Sequence, residues 1–119
     1  MGMIDEQDSF LTDIATLISY IRTTGYKITG GELYRTEEQQ ALHFKAGRSK
    51  TMNSNHRLRL AQDLNFFRDG EYINGMPANI AKKILQPIGD FWESLNPKNK
   101  WGGNFSSFID TPHFERRLK

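Results

Sequence analysis

The spacing of His56 and Asp63, which lie seven positions apart, restricts the possible fold more than any other feature of this sequence. On one continuous α-helix the two side chains would share a face but lie about 10.5 Å apart along the axis, which is too far for easy binding of one metal ion. On one continuous strand, an odd spacing sends them to opposite faces. The pair can share a site if His56 lies on a loop and the chain then enters a strand, at about residues 60–66.

That strand has a predictable inside and outside. Ala61 and Asp63 would face the site, and the small side chain of Ala61 would leave room there. Leu60, Leu64 and Phe66 would face the other way and pack in the core. The sequence therefore predicts a loop-to-strand junction with chemistry on one face and packing on the other.

Any metal site in this chain depends on histidine and carboxylate ligands, because the sequence contains no cysteine. The same absence excludes thiol catalysis and disulfide frameworks. The three histidines are His43, His56 and His113. His43 falls in the middle of a predicted helix without a ligand partner four residues on, so an ordinary surface or core position is favoured for it.

A second polar stretch lies near the C-terminus. Asp110 precedes His113 by three residues, and Pro112 between them stiffens the short arm that joins them. If His113 lies on a short strand, Phe114 packs and Glu115 shares the histidine's side. The two stretches together have the parts of a one-zinc site, namely three ligands, an open fourth position and a separate carboxylate base.

Three segments have the apolar periodicity of helices. They are residues 4–24, 36–46 and 77–95. Thr36 and Gln39 have the spacing of a capping box, and Gly47 is a natural stop. Pro87 lies inside the third segment and is expected to kink or split it.

Between the helices, the glycine pair at 30 and 31 predicts a turn, and residues 33–35 a short strand. The turn signals at residues 69–70 and 74–75 predict a short hairpin or a lid-like excursion. No repeat and no linker divides the chain, so we expect one domain over residues 1–119. The last four residues, 116–119, are expected to be solvated.

Composition and charge are those of a mixed, solvated protein surface. Apolar residues make up 37% of the chain and charged residues 25%, and the net charge is +2. This small charge, without a basic helix, argues against nucleic acid as a partner. No stretch approaches the roughly 18 apolar residues of a membrane span, and the acidic first eight residues do not form a signal peptide.

Several ordered motifs over roughly residues 30–116 resemble one family. They are Ser54, His56, Ala61 and Asp63; Trp101, Gly102, Gly103 and Phe105; Asp110, Pro112, His113, Phe114 and Glu115; and the segments 34–40 and 47–51. In these motifs the chain resembles the phage endolysin branch of the zinc D-alanyl-D-alanine carboxypeptidase family. That branch holds L-alanyl-D-glutamate endopeptidases.

The resemblance implies an α+β fold of the Hedgehog/DD-peptidase type, with helices packed on a small antiparallel sheet and a zinc site in a cleft. It implies one zinc ion held by His56, Asp63 and His113. Asp110 would be the catalytic base for a zinc-activated water, and Arg35 would steady the substrate carbonyl and its oxyanion. The substrate would be the peptide stem of bacterial peptidoglycan, most specifically its L-Ala–D-Glu bond.

Further residues are candidates for substrate binding. Ser54 would line the site, and its hydroxyl would meet substrate or orient His56. Arg48 and Lys50, in a polar loop, would meet carboxylates of the stem, although a solvated loop remains an equal alternative from sequence alone. Trp101 is included because the glycines after it let backbone pass close to the core or to a bound peptide.

Two departures from the family pattern concern the site. Arg59 stands where the family has glycine between the first two ligands, so the loop there is expected to bend differently. The base is an aspartate, whereas the related vancomycin-resistance dipeptidases have the longer glutamate. Neither departure removes a ligand.

Other readings stay open at this stage. Within the family, the alternative is a D,D-carboxypeptidase or dipeptidase, and outside catalysis it is a silent wall-binding module. A small DNA-binding phage protein is disfavoured by the low charge. The resemblance and the absent signal peptide together imply a monomer made in the cytoplasm, which reaches the cell wall through a holin-type pore.

Overall fold

The computed structural model describes residues 2–47 and 54–118, which form a small α+β structure. In these two ranges the three α-helices are α1 (Met3–Arg22), α2 (Glu37–Lys45) and α3 (Ala78–Leu95). The predicted helices are all confirmed, with ends within a few residues of those expected. In the described part of the chain, no helix has the length and apolarity needed to cross a membrane.

An antiparallel sheet forms the other layer, with strand order β1-β2-β5-β4 and β3 paired to the far end of β2. The strands are β1 (Lys27–Gly30), β2 (Ala61–Arg68), β3 (Glu71–Tyr72), β4 (Asn99–Trp101) and β5 (His113–Arg116). The hairpin between β2 and β3 has Asp69 and Gly70 at φ 52° and 79°, the two positive values that a tight primed turn requires. The predicted hairpin is therefore confirmed.

Side chains on the two faces of the central strand β2 differ as the alternation in its sequence predicts: apolar ones pack in the core, and polar ones lie on the opposite face. Leu64 and Phe66 face the core with Phe114 of β5, and all three are buried. Helices α1 and α3 cover this face, where Phe10 and Phe114 both meet the ring of Trp92 edge-on. Asp63 and His113 have the opposite parity and face away from the helices.

The capping box at α2 is present as predicted. The Thr36 hydroxyl accepts from the backbone N–H of Gln39 at 3.1 Å, and the Gln39 side chain accepts from the backbone N–H of Thr36 at 2.9 Å. Gly47 follows the helix with φ 78°, a left-handed conformation that glycine adopts without strain. These local signals fix both ends of α2.

Three expectations about the fold are wrong. Residues 33–35 are irregular, and the strand lies earlier, at β1, because its residues pair with β2. Pro87 does not split helix α3, which is continuous from Ala78 to Leu95; Pro87 is exposed, so the carbonyl that loses its N–H partner lies on the solvent side. Arg116 is buried rather than solvated, because its guanidinium donates to Asp13 Oδ2 at 2.6 Å and to Asn99 Oδ1 at 2.7 Å.

Trp101 is held in the core by two glycines. A Cβ on Gly89 would lie 2.1 Å from the indole of Trp101, and one on Gly103 would lie 2.3 Å from it. The indole N–H also donates to the carbonyl of Thr111 at 2.8 Å, so the ring has no room to move aside. Helix α3 can approach β4 this closely only where it carries glycine.

We therefore expect Gly89→Ala to destabilise the protein. Replacing glycine by alanine in a helix interior normally increases the free energy of unfolding by about 1 kcal/mol. Overpacking against a buried ring lowers it by about 1–3 kcal/mol. Gly30→Ala is the matched control, because a Cβ there meets no atom within 4 Å. Urea unfolding should show a lower midpoint for Gly89→Ala alone, and equal midpoints would contradict the tight packing.

Candidate metal centre

His56 lies on a short 3-10 turn, residues Asn55–Leu58, directly before β2. Ser54 begins this turn, and its hydroxyl accepts from the backbone N–H of His56 at 3.2 Å. The turn closes when the N–H of Leu60 donates to the carbonyl of Asn55 at 2.9 Å. This is the loop-to-strand junction expected from the spacing of His56 and Asp63.

Arg59 ends the 3-10 turn in the left-handed conformation, with φ 56° and ψ 35°. This conformation costs a non-glycine residue about 1–2 kcal/mol, which explains why glycine suits the position. Arg59 thus adopts a left-handed conformation that glycine takes more readily than other residues. Its guanidinium lies 4.0 Å from the centre of the Tyr34 ring, a cation–π contact that offsets part of the strain.

Asp63 and His113 lie directly opposite each other on the antiparallel strands β2 and β5. Opposed residues on such strands have their Cβ atoms about 5 Å apart and on the same face, so their side chains meet. Asp63 is also held from its other side, where it donates to Glu32 O and accepts from Gly31 N, both at 2.8 Å. Its position in the sheet is thus fixed on both edges.

The three side chains converge on one point. Asp63 Oδ1 lies 3.3 Å from His56 Nε2 and 3.5 Å from His113 Nδ1. The three potential ligand atoms all lie within 4.8 Å of one another. Asp63 Oδ1 is buried and makes no hydrogen bond, so a polar atom is left unsatisfied at the centre of the cluster.

In each imidazole, the ring nitrogen that faces away from Asp63 makes a hydrogen bond to another residue. His56 Nδ1 lies 3.1 Å from the carbonyl oxygen of Leu33, which can only accept, so Nδ1 carries the proton. His113 Nε2 lies 2.7 Å from Glu115 Oε1 and donates to that carboxylate in the same way. When both imidazoles are neutral, the two remaining nitrogens present lone pairs toward Asp63, an arrangement that suits a cation.

When no metal is bound, the surrounding carboxylates favour a positive charge on the His113 imidazole. Burial lowers the pKa of His113, but Asp63 and Glu115 outweigh it and raise the pKa to about 9. Burial raises the pKa of Asp63, but His113 and His56 outweigh it and hold the pKa below its ordinary value. The pKa of Glu115 is lowered to about 2, because His113 and Arg117 together outweigh its burial.

Two imidazole nitrogens and one carboxylate oxygen form a donor set that zinc takes in proteins with an open fourth position. The unsatisfied Asp63 oxygen and the fixed tautomers of both histidines fit a bound metal ion. His43, as expected, lies outside this cluster and faces Glu32, with Nε2 at 3.5 Å from Oε2.

Asp110 lies beside the three ligands without being one of them. Its Oδ2 is 4.0 Å from His113 Nδ1, and its side chain is 34% exposed. Its backbone N–H donates to the carbonyl of Gly102 at 2.9 Å, and a Cβ on Gly102 would lie 2.1 Å from the carbonyl oxygen of Asp110. Burial, aided by the charge of Asp63 and opposed by His113, raises the pKa of the Asp110 carboxyl.

Arg35 is buried and held by two side chains. Its Nη2 donates to Glu32 Oε1 and its Nη1 to Gln40 Oε1, each at 2.7 Å. The pKa of Glu32 is lowered, chiefly because Arg35 donates to it. The charge of Arg35 also acts on the Asp110 carboxyl and lowers its pKa, so the guanidinium lies within electrostatic reach of the cluster.

The remaining substrate-binding predictions have different outcomes. Ser54 caps the turn that carries His56, which fits its predicted orienting role. Trp101 is fully buried, so the expectation that it binds substrate does not fit the structure; its indole instead fills the core and donates to the carbonyl of Thr111. Arg48 and Lys50 lie outside the described residues.

Sequence reasoning missed the partners that orient the site. Gln40 is the buried residue of α2, and a glutamine in a polar helix gives no sign of this. Glu32 and the Leu33 carbonyl come from a loop, where spacing carries little information. Glu115 lies on the same side of the strand as His113, as predicted, and only its hydrogen bond to the His113 ring was missed.

Comparison with known proteins assigns the family. A family model described as D-alanyl-D-alanine carboxypeptidase matches residues 47–116, which is more than half of the 119 residues. The chain therefore belongs to the D-alanyl-D-alanine carboxypeptidase family. The matched segment contains His56, Asp63, Asp110 and His113, whereas Arg35 lies before it.

A curated protein and a solved structure are among those similar to the chain. An L-alanyl-D-glutamate peptidase of Listeria phage A118 is 30% identical over 105 residues, which cover 87% of this chain but 35% of that protein. The chain thus spans about a third of that relative's length. The crystal structure of the Serratia marcescens L-Ala D-Glu endopeptidase ChiX matches with a TM-score of 0.54 at 20% identity, over 76% of this chain and 67% of that one. This likeness confirms the predicted fold.

We expect added Zn²⁺ to stabilise the wild-type protein and not Asp63→Ala. A ligand that binds only the folded state, at a free concentration of 100 times its Kd, increases the free energy of unfolding by about 2.7 kcal/mol, which is measurable as a rise in Tm. His43→Ala is the control and should keep the rise, since His43 lies outside the cluster. An equal rise for Asp63→Ala would show that the metal binds elsewhere.

Proposed function

We propose that this chain is a zinc peptidase that hydrolyses the peptide stem of bacterial peptidoglycan, at the bond between L-Ala and D-Glu. The observation that carries the proposal is the convergence of His56 Nε2, Asp63 Oδ1 and His113 Nδ1 beside a separate carboxylate, Asp110. The choice of scissile bond is supported by the names of the phage and Serratia proteins, both of which refer to it.

His56, Asp63 and His113 would hold the zinc ion. When bound, zinc with such ligands supplies Lewis acidity that polarises a carbonyl and activates water. The protein's share is to keep the donor atoms in place: the Leu33 carbonyl fixes the imidazole of His56, and the β2–β5 pairing sets Asp63 opposite His113.

Asp110 would act as the general base. Its carboxylate lies next to the nitrogen of His113 that faces the cluster, so it can accept a proton from water there and pass it to the leaving amine. The hydrogen bond from its own N–H to Gly102 fixes its backbone.

Arg35 would stabilise negative charge on the substrate carbonyl. A guanidinium has five N–H donors, and Glu32 and Gln40 take three of Arg35's within the described residues. The same contacts hold the group rigidly, and a preorganised donor favours the transition state because it needs no reorganisation during the reaction. Ser54 would contribute by holding the His56 turn.

A D,D-carboxypeptidase is the second candidate, because the description of the matching family model names that activity. A wall-binding module without turnover is the non-catalytic alternative. We propose that the protein acts in the cell wall, where its substrate is, and we expect a monomer that reaches the wall through a holin-type pore.

Digestion of purified peptidoglycan tests the proposal. We expect the zinc-loaded wild type to release stems with new amino-terminal D-Glu, identified by mass spectrometry. Asp110→Asn keeps the shape of the side chain but removes the base, so it should bind zinc normally and lose roughly 10²–10⁴-fold in rate.

Other products would decide between the alternatives. Release of terminal D-Ala would make the protein a carboxypeptidase. Intact peptidoglycan, with zinc bound and the protein retained on the wall, would support the binding module and refute the peptidase.

A further inference from the structure

Glu115 is a buried carboxylate for which the proposed reaction has no step. It lies on β5 two residues after His113, so both side chains point from the same face of the strand. Its side chain is 8% exposed, and each of its oxygens has a partner. Oε1 accepts from His113 Nε2 at 2.7 Å, and Oε2 accepts from Arg117 Nε at 2.8 Å.

The two histidines of the centre are supported unequally. His56 Nδ1 donates to a neutral backbone carbonyl at 3.1 Å, whereas His113 Nε2 donates to a carboxylate at 2.7 Å. Hydrogen bonds to an ionised acceptor are shorter and roughly twice as strong as neutral ones. An imidazole that donates to a carboxylate is held in one tautomer and is a more basic ligand through its other nitrogen.

We propose that Glu115 is a positioning residue for the metal ligand His113. It holds the imidazole with Nδ1 directed at Asp63 and strengthens that nitrogen as a zinc donor. The inference rests on the proposed zinc centre but not on peptidase activity, because its consequence is the affinity of the centre for the metal.

Arg117 holds Glu115 from the outer side. Its side chain is half exposed, and its backbone N–H donates to the carbonyl of Lys98 at 2.8 Å. Its guanidinium lies 5.7 Å from the centre of the Phe105 ring, and that ring lies 5.5 Å from the imidazole of His113. Glu115 is thus fixed between an anchored arginine and the ligand, which limits its motion.

Zinc affinity of Glu115 variants tests the role. Glu115→Met has a similar length and no acceptor, and we expect its zinc Kd to rise about 10–100-fold, the usual loss when the partner of a metal-bound histidine is removed. Glu115→Gln keeps a hydrogen-bond acceptor but loses the charge, so its zinc Kd should rise only several-fold. Kd is measured by competition with a chromogenic chelator at several pH values, which separates proton competition from loss of orientation.

Asp13→Asn is the matched control. It removes a carboxylate from another ion pair of β5, between Asp13 Oδ2 and Arg116 Nη2 at 2.6 Å, without touching His113. It should lower the Tm and leave the zinc Kd unchanged. The absorption spectrum of bound Co²⁺ provides a second readout, which should change in both Glu115 variants and not in the control.

The outcomes separate this inference from the proposed function. Wild-type Kd values and Co²⁺ spectra in both Glu115 variants would show that Glu115 only supports the fold. If Glu115→Met does not fold, an unchanged Kd in Glu115→Gln overturns the inference by itself. A wild-type protein that binds no zinc would refute the centre as a whole, whereas zinc binding without peptidase activity would leave the role of Glu115 intact.

Discussion

The antiparallel pairing of Asp63 with His113 is the contact on which the rest of the site depends. Side chains alternate along a strand, so a shift of one residue in the β2–β5 register would turn one of the two away from the other. The register is held by the core, because the same strands bury Phe66 and Phe114 on their other face. Burial of apolar side chains thus fixes the position of the polar ones.

The segment that orients His56 lies along the other edge of β2, on the side away from β5. The chain after β1 continues along Asp63 and leads to Leu33, whose carbonyl orients His56. The same loop supplies Glu32, which holds Arg35. One short segment without regular structure therefore orients a ligand and the proposed oxyanion donor, and the capping box at α2 fixes where it ends.

The candidate base has a separate support. Thr111, which follows Asp110, is held through its carbonyl by the Trp101 indole and through its hydroxyl by Asn74 at 2.9 Å. Gly102 lets the backbone of Asp110 approach closely. The turn that carries the base thus rests on the packed core, and this explains why a tryptophan followed by two glycines precedes the site in sequence.

Much of the fold and the site was predictable because the relevant signals are local. The junction between His56 and Asp63 follows from their spacing, and the ends of α2 follow from Thr36, Gln39 and Gly47. The family motifs supplied the candidate ligands.

The errors concern contacts between distant segments. Arg116 is buried because it meets Asp13, 103 residues earlier in the chain. Trp101 is buried because Gly89 and Gly103 make room for it. Pairing of β1 with β2 likewise decides where the strand lies, which the glycine pair at 30 and 31 does not reveal. Such contacts leave no periodic trace in the sequence, so the structure is needed to find them.

The most direct test of the metal centre is a crystal structure of the zinc-loaded protein with anomalous diffraction at the zinc edge. We expect one zinc peak bound by His56 Nε2, Asp63 Oδ1 and His113 Nδ1 at about 2.0–2.2 Å, with Asp110 and Glu115 outside the coordination sphere. A peak between His43 and Glu32, or coordination through the opposite nitrogen of either ligand histidine, would contradict the site described above.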